Sequence, residues 1–333
     1  MKLFLIMTFI LGMIYLLGML KVKSDVKWMG KECTVGLKGL AVLMVVWGHI
    51  GACLHVNGIQ FIGGVGVSIF LILSGYGLEK SYTNNGLKKF WIKKLIKVFI
   101  PFWIIELIGS IATCDFDIKN YILDVLFLKP GTAYGWYMGY LFICYCLFYI
   151  YKTLIEKGVK DIFFGGGLLF VVWFIIDSLL FANPDMPFLR ARQMLCFPIG
   201  IFLAKKSNID SFKYWKKMIG VLGVTGIGFM ALTQLEFVKS MPYILSNLLS
   251  LFTVMPLAGT VICMGKLCPL ITQSRLSQLM GKYSFEIYLV HAFTLAVVSN
   301  DVLGILEFWI LTLCCAILLN RIMNKWRIQK RLI

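Results

Sequence analysis

Two side chains in an otherwise apolar run pose the first chemical question. The stretch GLKGLAVLMVVWGHIGACLHV, residues 36–56, carries Lys38, His49 and His55, two of the three histidines in the chain. His49 follows Lys38 by eleven residues. At about 100° per residue that is close to three whole turns, so the two share a helix face. Along the axis they lie on the order of 16 Å apart. A lysine holds phosphate as a point charge, and a neutral imidazole is a natural proton acceptor near neutral pH. A cation at the mouth and an imidazole at depth suit a channel for an anionic ligand whose reactive end is pushed inward. The bland alternatives are a snorkelling lysine and a hydrogen-bonded packing histidine. Inside a membrane an ionisable group is costly, which favours chemistry for His49. His55, near the end of the run, reads as interfacial.

Other polar residues sit in apolar surroundings. His291 lies mid-span, and Tyr288, three residues before it, shares its helix face. That pair suggests a supporting role at the site. Glu106 is a carboxylate within an apolar run and could orient His49, as a carboxylate orients imidazole in a triad. Ser74, in LSGYG, lacks the spacing of a nucleophile elbow. It reads as a hydrogen-bonding lining residue among glycines that permit close helix approach. Trp136 and Tyr137 open a span and read either as an aromatic belt or as a stacking surface for a sugar. Asp177 and Glu307 read as structural. No CxxC pair occurs among the ten cysteines, most of which lie in apolar runs, so no metal site is expected.

These residues need a bilayer-spanning scaffold. Of the 333 residues, 59% are hydrophobic, and many apolar runs approach the roughly 20 residues that a spanning helix takes. The pattern predicts an all-α polytopic membrane bundle of about eleven helices. They fall at 3–20, 36–56, 61–79, 98–113, 133–151, 163–181, 193–204, 218–233, 242–264, 283–299 and 303–320, the seventh being short. A β-barrel would alternate instead. Of the 33 lysines and arginines, 27 fall in one alternating set of loops and 6 in the other. That asymmetry predicts a multi-pass cell-membrane protein with its N-terminus outside and its C-terminus in the cytoplasm. It also reads the net charge of +17 as anchoring rather than as a nucleic-acid surface.

Four segments in order resemble the acyltransferase-3 family of membrane acyltransferases: LKGLAVLMVVWGH, GGVGVSIFLILSGYGLEKS (63–81), LKKFWIKKLIKVFIPFW (87–103) and GKYSFEIYLVH (281–291). GWYMGYLFICY (135–145) and FPIGIFLAK (197–205) match more weakly. The basic residue of the first motif is Lys38, where arginine is usual. The resemblance implies an acyltransferase-like domain over 35–323 with a ten-helix core. It leaves an extra helix and basic loop at 1–34 and a basic tail at 324–333.

The implied activity is O-acyl transfer, usually acetyl, from cytoplasmic acyl-CoA to a hydroxyl of an extracytoplasmic or lipid-linked glycan. Lys94 and Lys97 match the family's basic motif and, with Lys38, would cradle the phosphates of coenzyme A, with Ser74 lining its path. Without the resemblance, these lysines read equally as anchors to anionic lipid. His49 would act as general base or, alternatively, as an acylated nucleophile. Trp136, Tyr137, Tyr288 and His291 would face the acceptor. Two other function classes stay open: a carrier or flippase of a small polar solute, and an accessory subunit of a glycan exporter.

Overall fold

The computed structural model describes residues 2–20, 26–56, 58–132, 135–159, 166–180, 191–206 and 214–329. Parts of the charge count lie outside them, namely Lys21, Lys23, Lys160, Arg190, Lys213, Lys330 and Arg331, as do the span ends 133–134, 163–165 and 181.

Among the described residues every regular element is a helix. In chain order the main ones are α1 (Lys2–Leu17), α2 (Lys31–Cys53), α3 (Gln60–Asn85), α4 (Phe90–Ala112), α5 (Ile118–Val125), α6 (Trp136–Glu156) and α7 (Gly167–Leu180). There follow α8 (Cys196–Lys205), α9 (Trp215–Leu232), α10 (Tyr243–Leu267), α11 (Arg275–Lys282), α12 (Ser284–Ala296) and α13 (Val302–Gln329). Seven are long and apolar enough to cross a membrane: α2, α3, α4, α6, α9, α10 and most of α13. Four shorter apolar helices, α1, α7, α8 and α12, coincide with the remaining expected spans. The chain is a multi-pass helical membrane protein.

Burial separates the centre from the rim. The apolar stretch of α3 is 72% buried and that of α2 is 67%, against 11% for α9. A helix apolar on every side and buried belongs to the core, whereas an exposed apolar face at the rim meets lipid. α2 packs on α3 and α11, and α3 packs on α8. Glycine makes these contacts backbone-close. A methyl group on Gly75 would lie 2.1 Å from the Phe197 carbonyl oxygen, and one on Gly200 only 2.0 Å from that of Ile72. On the other side of the core, a methyl on Gly39 would meet the Ser277 carbonyl at 1.8 Å. Small residues at such crossings let van der Waals packing replace the hydrophobic drive that lipid removes. With Gly66 of α3, where a methyl would meet the Ala41 carbonyl oxygen at 2.4 Å, Gly39 fixes α2, the helix of Lys38 and His49, on two sides.

α4 is interrupted by a π-turn at Leu95–Phe99, directly before Pro101. Proline has no N–H to return to the Lys97 carbonyl, and the wider turn absorbs the mismatch. The turn carries Lys97 and follows Lys94. α1, the extra helix, docks along the core rather than standing apart. Trp47 Nε1 donates to Thr8 Oγ1 at 3.0 Å, the Tyr15 hydroxyl donates to the Ile271 carbonyl, and Arg275 N donates to Gly18 O at 3.0 Å.

Lys152, counted from sequence among the loop cations, is buried. Its ammonium lies 2.7 Å from Glu79 Oε2 and 4.1 Å from the Tyr82 ring centre.

Candidate functional site inside the bundle

His49 on α2 meets His291 on α12. His49 Nδ1 and His291 Nε2 are 2.9 Å apart, and the rings are nearly parallel, at 8°. His291 Nδ1 lies 2.6 Å from the Tyr288 carbonyl oxygen. A carbonyl only accepts, so His291 carries its proton on Nδ1 and presents Nε2 as an acceptor. His49 Nδ1–H then donates to it. The chain of partners thereby assigns the proton of His49 to Nδ1 and leaves Nε2 as its basic atom. His291 is buried and His49 half-buried.

Three cavities are lined in part by α12, the helix of His291. At the lysine-bearing end a cavity of about 1150 Å³ is lined by Lys38, Lys97, Lys282, Gln278, Glu286 and Asn324, among others. A narrow one of about 120 Å³ continues inward past Lys38, Ser74, Tyr137, Tyr145, Ser284 and Tyr288. The two share Lys38, Ser284 and Phe285. At the opposite end a third cavity, about 580 Å³, is lined by Glu106, Tyr121, Asp124 and Lys129 together with Ala292 and Phe293 of α12. His291 thus stands on α12 between Tyr288, which lines the narrow cavity, and Ala292, which lines the third.

The structure gathers most of the expected residues and redistributes some. Lys38, Ser74, Tyr137 and Tyr288 share one narrow cavity. Lys97 lines its wide mouth. Lys94 stands over the rings of Tyr145, at 4.6 Å, and Phe90, at 5.4 Å. It is in electrostatic contact with Lys97 and Lys38 but does not line the mouth.

Three expectations are corrected. Glu106, read as the residue orienting His49, faces Asp124 instead, and His291 takes that place. Position in sequence could not distinguish a histidine from a carboxylate as partner. Tyr137, read as part of an outer stacking surface, is buried and packs on Tyr288 with ring centres 5.0 Å apart. Trp136 packs on Tyr137 and Tyr140 and lines none of the three cavities. Lys282, Tyr145, Ser284 and Asp124 were missed as site residues. Lys282 and Ser284 stand inside the quoted GKYS segment, which was the one signal available.

An apolar bundle with a buried histidine pair on α2 and α12, and cavities lined by α12 on both sides of His291, is a membrane protein built around an internal site. Its family follows from the sequence match. The acyltransferase-domain model of the acyltransferase-3 family covers residues 36–320, and the chain belongs to that family. It is a membrane acyltransferase. No curated protein and no solved structure matches it.

Proposed function

We propose that the protein moves an acyl group, acetyl in the simplest case, from acyl-CoA at the lysine-bearing end to a hydroxyl of a glycan-like acceptor at the other. Acyl-CoA is too highly charged to cross a bilayer, so the lysine-bearing end faces the cytoplasm, as the loop charges favour. Its phosphates lie against Lys38, Lys97 and Lys282, with Lys94 reinforcing the positive field. Its pantetheine arm threads the narrow cavity past Ser74, Tyr137 and Tyr288 and brings the thioester toward His49.

The acceptor oxygen attacks the thioester carbonyl while His49 Nε2 takes the hydroxyl proton. The C–S bond then breaks, the ester remains on the acceptor, and the proton passes from His49 to the departing thiolate. His291 holds His49 in the required tautomer throughout. The single observation carrying this reading is the His49–His291–Tyr288 chain standing between two cavities that open to opposite ends.

Purified protein in detergent, given labelled acetyl-CoA and a panel of soluble glycosides, tests it. Wild-type protein should transfer label, and His49→Ala should lose the activity while keeping its affinity for coenzyme A. Absence of both transfer and coenzyme A binding in folded wild-type protein would overturn the reading.

A further inference from the structure

Arg192 is a charged group that the acyl-transfer reading leaves unused. It stands on the short helical turn Ala191–Gln193, just before α8. By sequence it belongs to the sparse cations of the lysine-poor loops, yet the structure lays it against the bundle. Its Nε is fully buried and has no hydrogen-bond partner. Among the described residues no ion pair or hydrogen bond engages the rest of the guanidinium. Asp177 of α7, a buried carboxylate, forms no ion pair with it. A guanidinium stays charged and only donates, and a charged side chain at bilayer depth marks a functional site by default.

The surroundings are polar and almost fully satisfied. A methyl group on Gly64 of α3 would lie 3.7 Å from Arg192 Cζ and 3.9 Å from Nε, so the guanidinium rests on backbone that carries no side chain. The Gly64 carbonyl is already taken, accepting from Ser68 Oγ at 3.0 Å and from Gln193 Nε2 at 3.1 Å. Ser68 Oγ also lies 2.6 Å from Gln193 Oε1. The segment Tyr243–Ser250 of α10 packs on the same turn and on α7. There Asn247 donates from Nδ2 to Ser178 Oγ at 3.1 Å, while its Oδ1 is buried without a partner. Arg192 and Asn247 thus each keep an orphaned polar atom on elements that touch, and neither bonds the other. This cluster lies apart from the histidine pair, because α3 turns Gly66 toward α2 but Gly64 and Ser68 toward Arg192 and Gln193.

We propose that Arg192 and Asn247 form a binding site for a phosphodiester with a hydroxylated headgroup, drawn from the bilayer. The proposal is independent of the acyl-transfer reading. Phosphate oxygens match the planar fork of a guanidinium, and a headgroup hydroxyl supplies the donor that Asn247 Oδ1 lacks. Depth fits a lipid. Gly64 lies four residues from the start of α3, at the end of the bundle away from the lysines. That is on the order of 6 Å along the helix, comparable to the headgroup zone on one face of a bilayer.

The test uses the full chain, delipidated in detergent. It is titrated with dioctanoyl phosphatidylglycerol or dioctanoyl phosphatidylcholine, and bound lipid is counted by native mass spectrometry. Wild-type protein should hold a single phosphatidylglycerol at least about tenfold more tightly than phosphatidylcholine, whose headgroup offers no hydroxyl and cancels the phosphate charge. Arg192→Gln should lose that preference. Arg192→Lys keeps the charge without the fork and should recover only part of it. Asn247→Leu, of similar size, should weaken phosphatidylglycerol about threefold or more, since the headgroup hydroxyl loses its acceptor. Lys216→Gln with Lys217→Gln, exposed cations on α9, serves as the control and should leave the tight lipid in place. Variants are compared only where they elute as folded protein, so the lysine and leucine variants keep the test alive if Arg192→Gln does not fold. An unchanged preference in the Arg192 and Asn247 variants would overturn the proposal, as would its loss in the Lys216 and Lys217 control. Displacement of the lipid by glycerol phosphate at equal concentration would overturn the bilayer as its source.

Discussion

Replacing His291 by alanine removes the acceptor that fixes the proton of His49. The perturbed contact is one buried ring-to-ring hydrogen bond of 2.9 Å, itself anchored by the 2.6 Å contact from His291 Nδ1 to the Tyr288 carbonyl. Loss of one partner of a buried hydrogen bond costs about 1–3 kcal/mol. If that energy is what holds His49 with Nε2 basic, it appears as lost transition-state stabilisation. At about 1.36 kcal/mol per tenfold, the expected fall in turnover is about 5- to 150-fold. His49→Ala removes the base itself and should cost more, about 100- to 10,000-fold. His291→Gln can present an amide oxygen to His49 Nδ1–H and should recover part of the loss. The assay is transfer of labelled acetyl groups, with kcat and KM separated and coenzyme A affinity measured in parallel. Tautomer control predicts a fall in kcat with little change in affinity for the donor. Wild-type turnover in His291→Ala would refute the reasoning. So would a glutamine variant no better than alanine, since His291 would then matter by its shape rather than by its acceptor.

Lys97→Ala and Lys282→Ala should each weaken coenzyme A binding about fivefold or more at low salt and flatten its salt dependence, since exposed charge pairs are screened. Isothermal titration at two ionic strengths checks this, and unchanged affinity would return both lysines to an anchoring role. Lys152→Ala strands the Glu79 carboxylate in the core, and a broken buried pair costs about 3–5 kcal/mol. Thermal melting in detergent should therefore fall markedly, with much of the loss recovered by replacing Lys152 and Glu79 together by Met and Leu. Asp124 supplies a pH test. Burial holds its carboxyl above its ordinary value of 3.8, so its contribution to stability is complete below that pH and is lost as pH rises toward the folded-state value. Asp124→Asn cannot ionise, and its melting temperature should decline less than wild type between about pH 4 and about pH 7. Equal pH slopes would count against the carboxyl being strained by burial.

Seven of the eleven expected spans meet helices long and apolar enough to cross a membrane, and the other four meet shorter apolar helices, because bilayer-length hydrophobicity is a one-dimensional signal. Lys38, Ser74 and Tyr288 converge because they stand at fixed depths on helices whose direction the loop charges indicate. What sequence could not carry was rotation and tilt between helices. Tyr137 begins a span and so looks interfacial, yet the turn of α6 points it into the core against Tyr288. Glu106 lies in an apolar run and looks available to His49. Its true partner, Asp124, comes from α5, a short helix outside the spans that no span pattern announces. Lys152 looks like a loop cation because a lone lysine at a helix end usually is one. Only the approach of Glu79 from α3 reveals its pairing.

The disparity of the three cavities has a consequence for how two substrates share one protein. The acidic cavity, at about 580 Å³, shares no lining residue with the wide mouth, at about 1150 Å³, or with the cavity of only about 120 Å³ that continues from that mouth. The walls of this narrow cavity include the rings of Phe70, Tyr137 and Tyr288, which pack within 5.0 to 6.5 Å of one another. A slender pantetheine arm fits such a constriction, whereas a nucleotide from one side or a sugar ring from the other does not. On the acyl-transfer reading, chemistry must therefore occur at the constriction, where the arm's end and an acceptor hydroxyl can both reach the histidine pair. The same aromatic packing would keep the passage from becoming a continuous file of water, which a nearby histidine pair would otherwise turn into a proton leak. The lysines then belong at one end and the carboxylates at the other for the same reason. The lysines recruit the anionic donor, which the carboxylates would repel, and neither substrate needs to pass the rings to react.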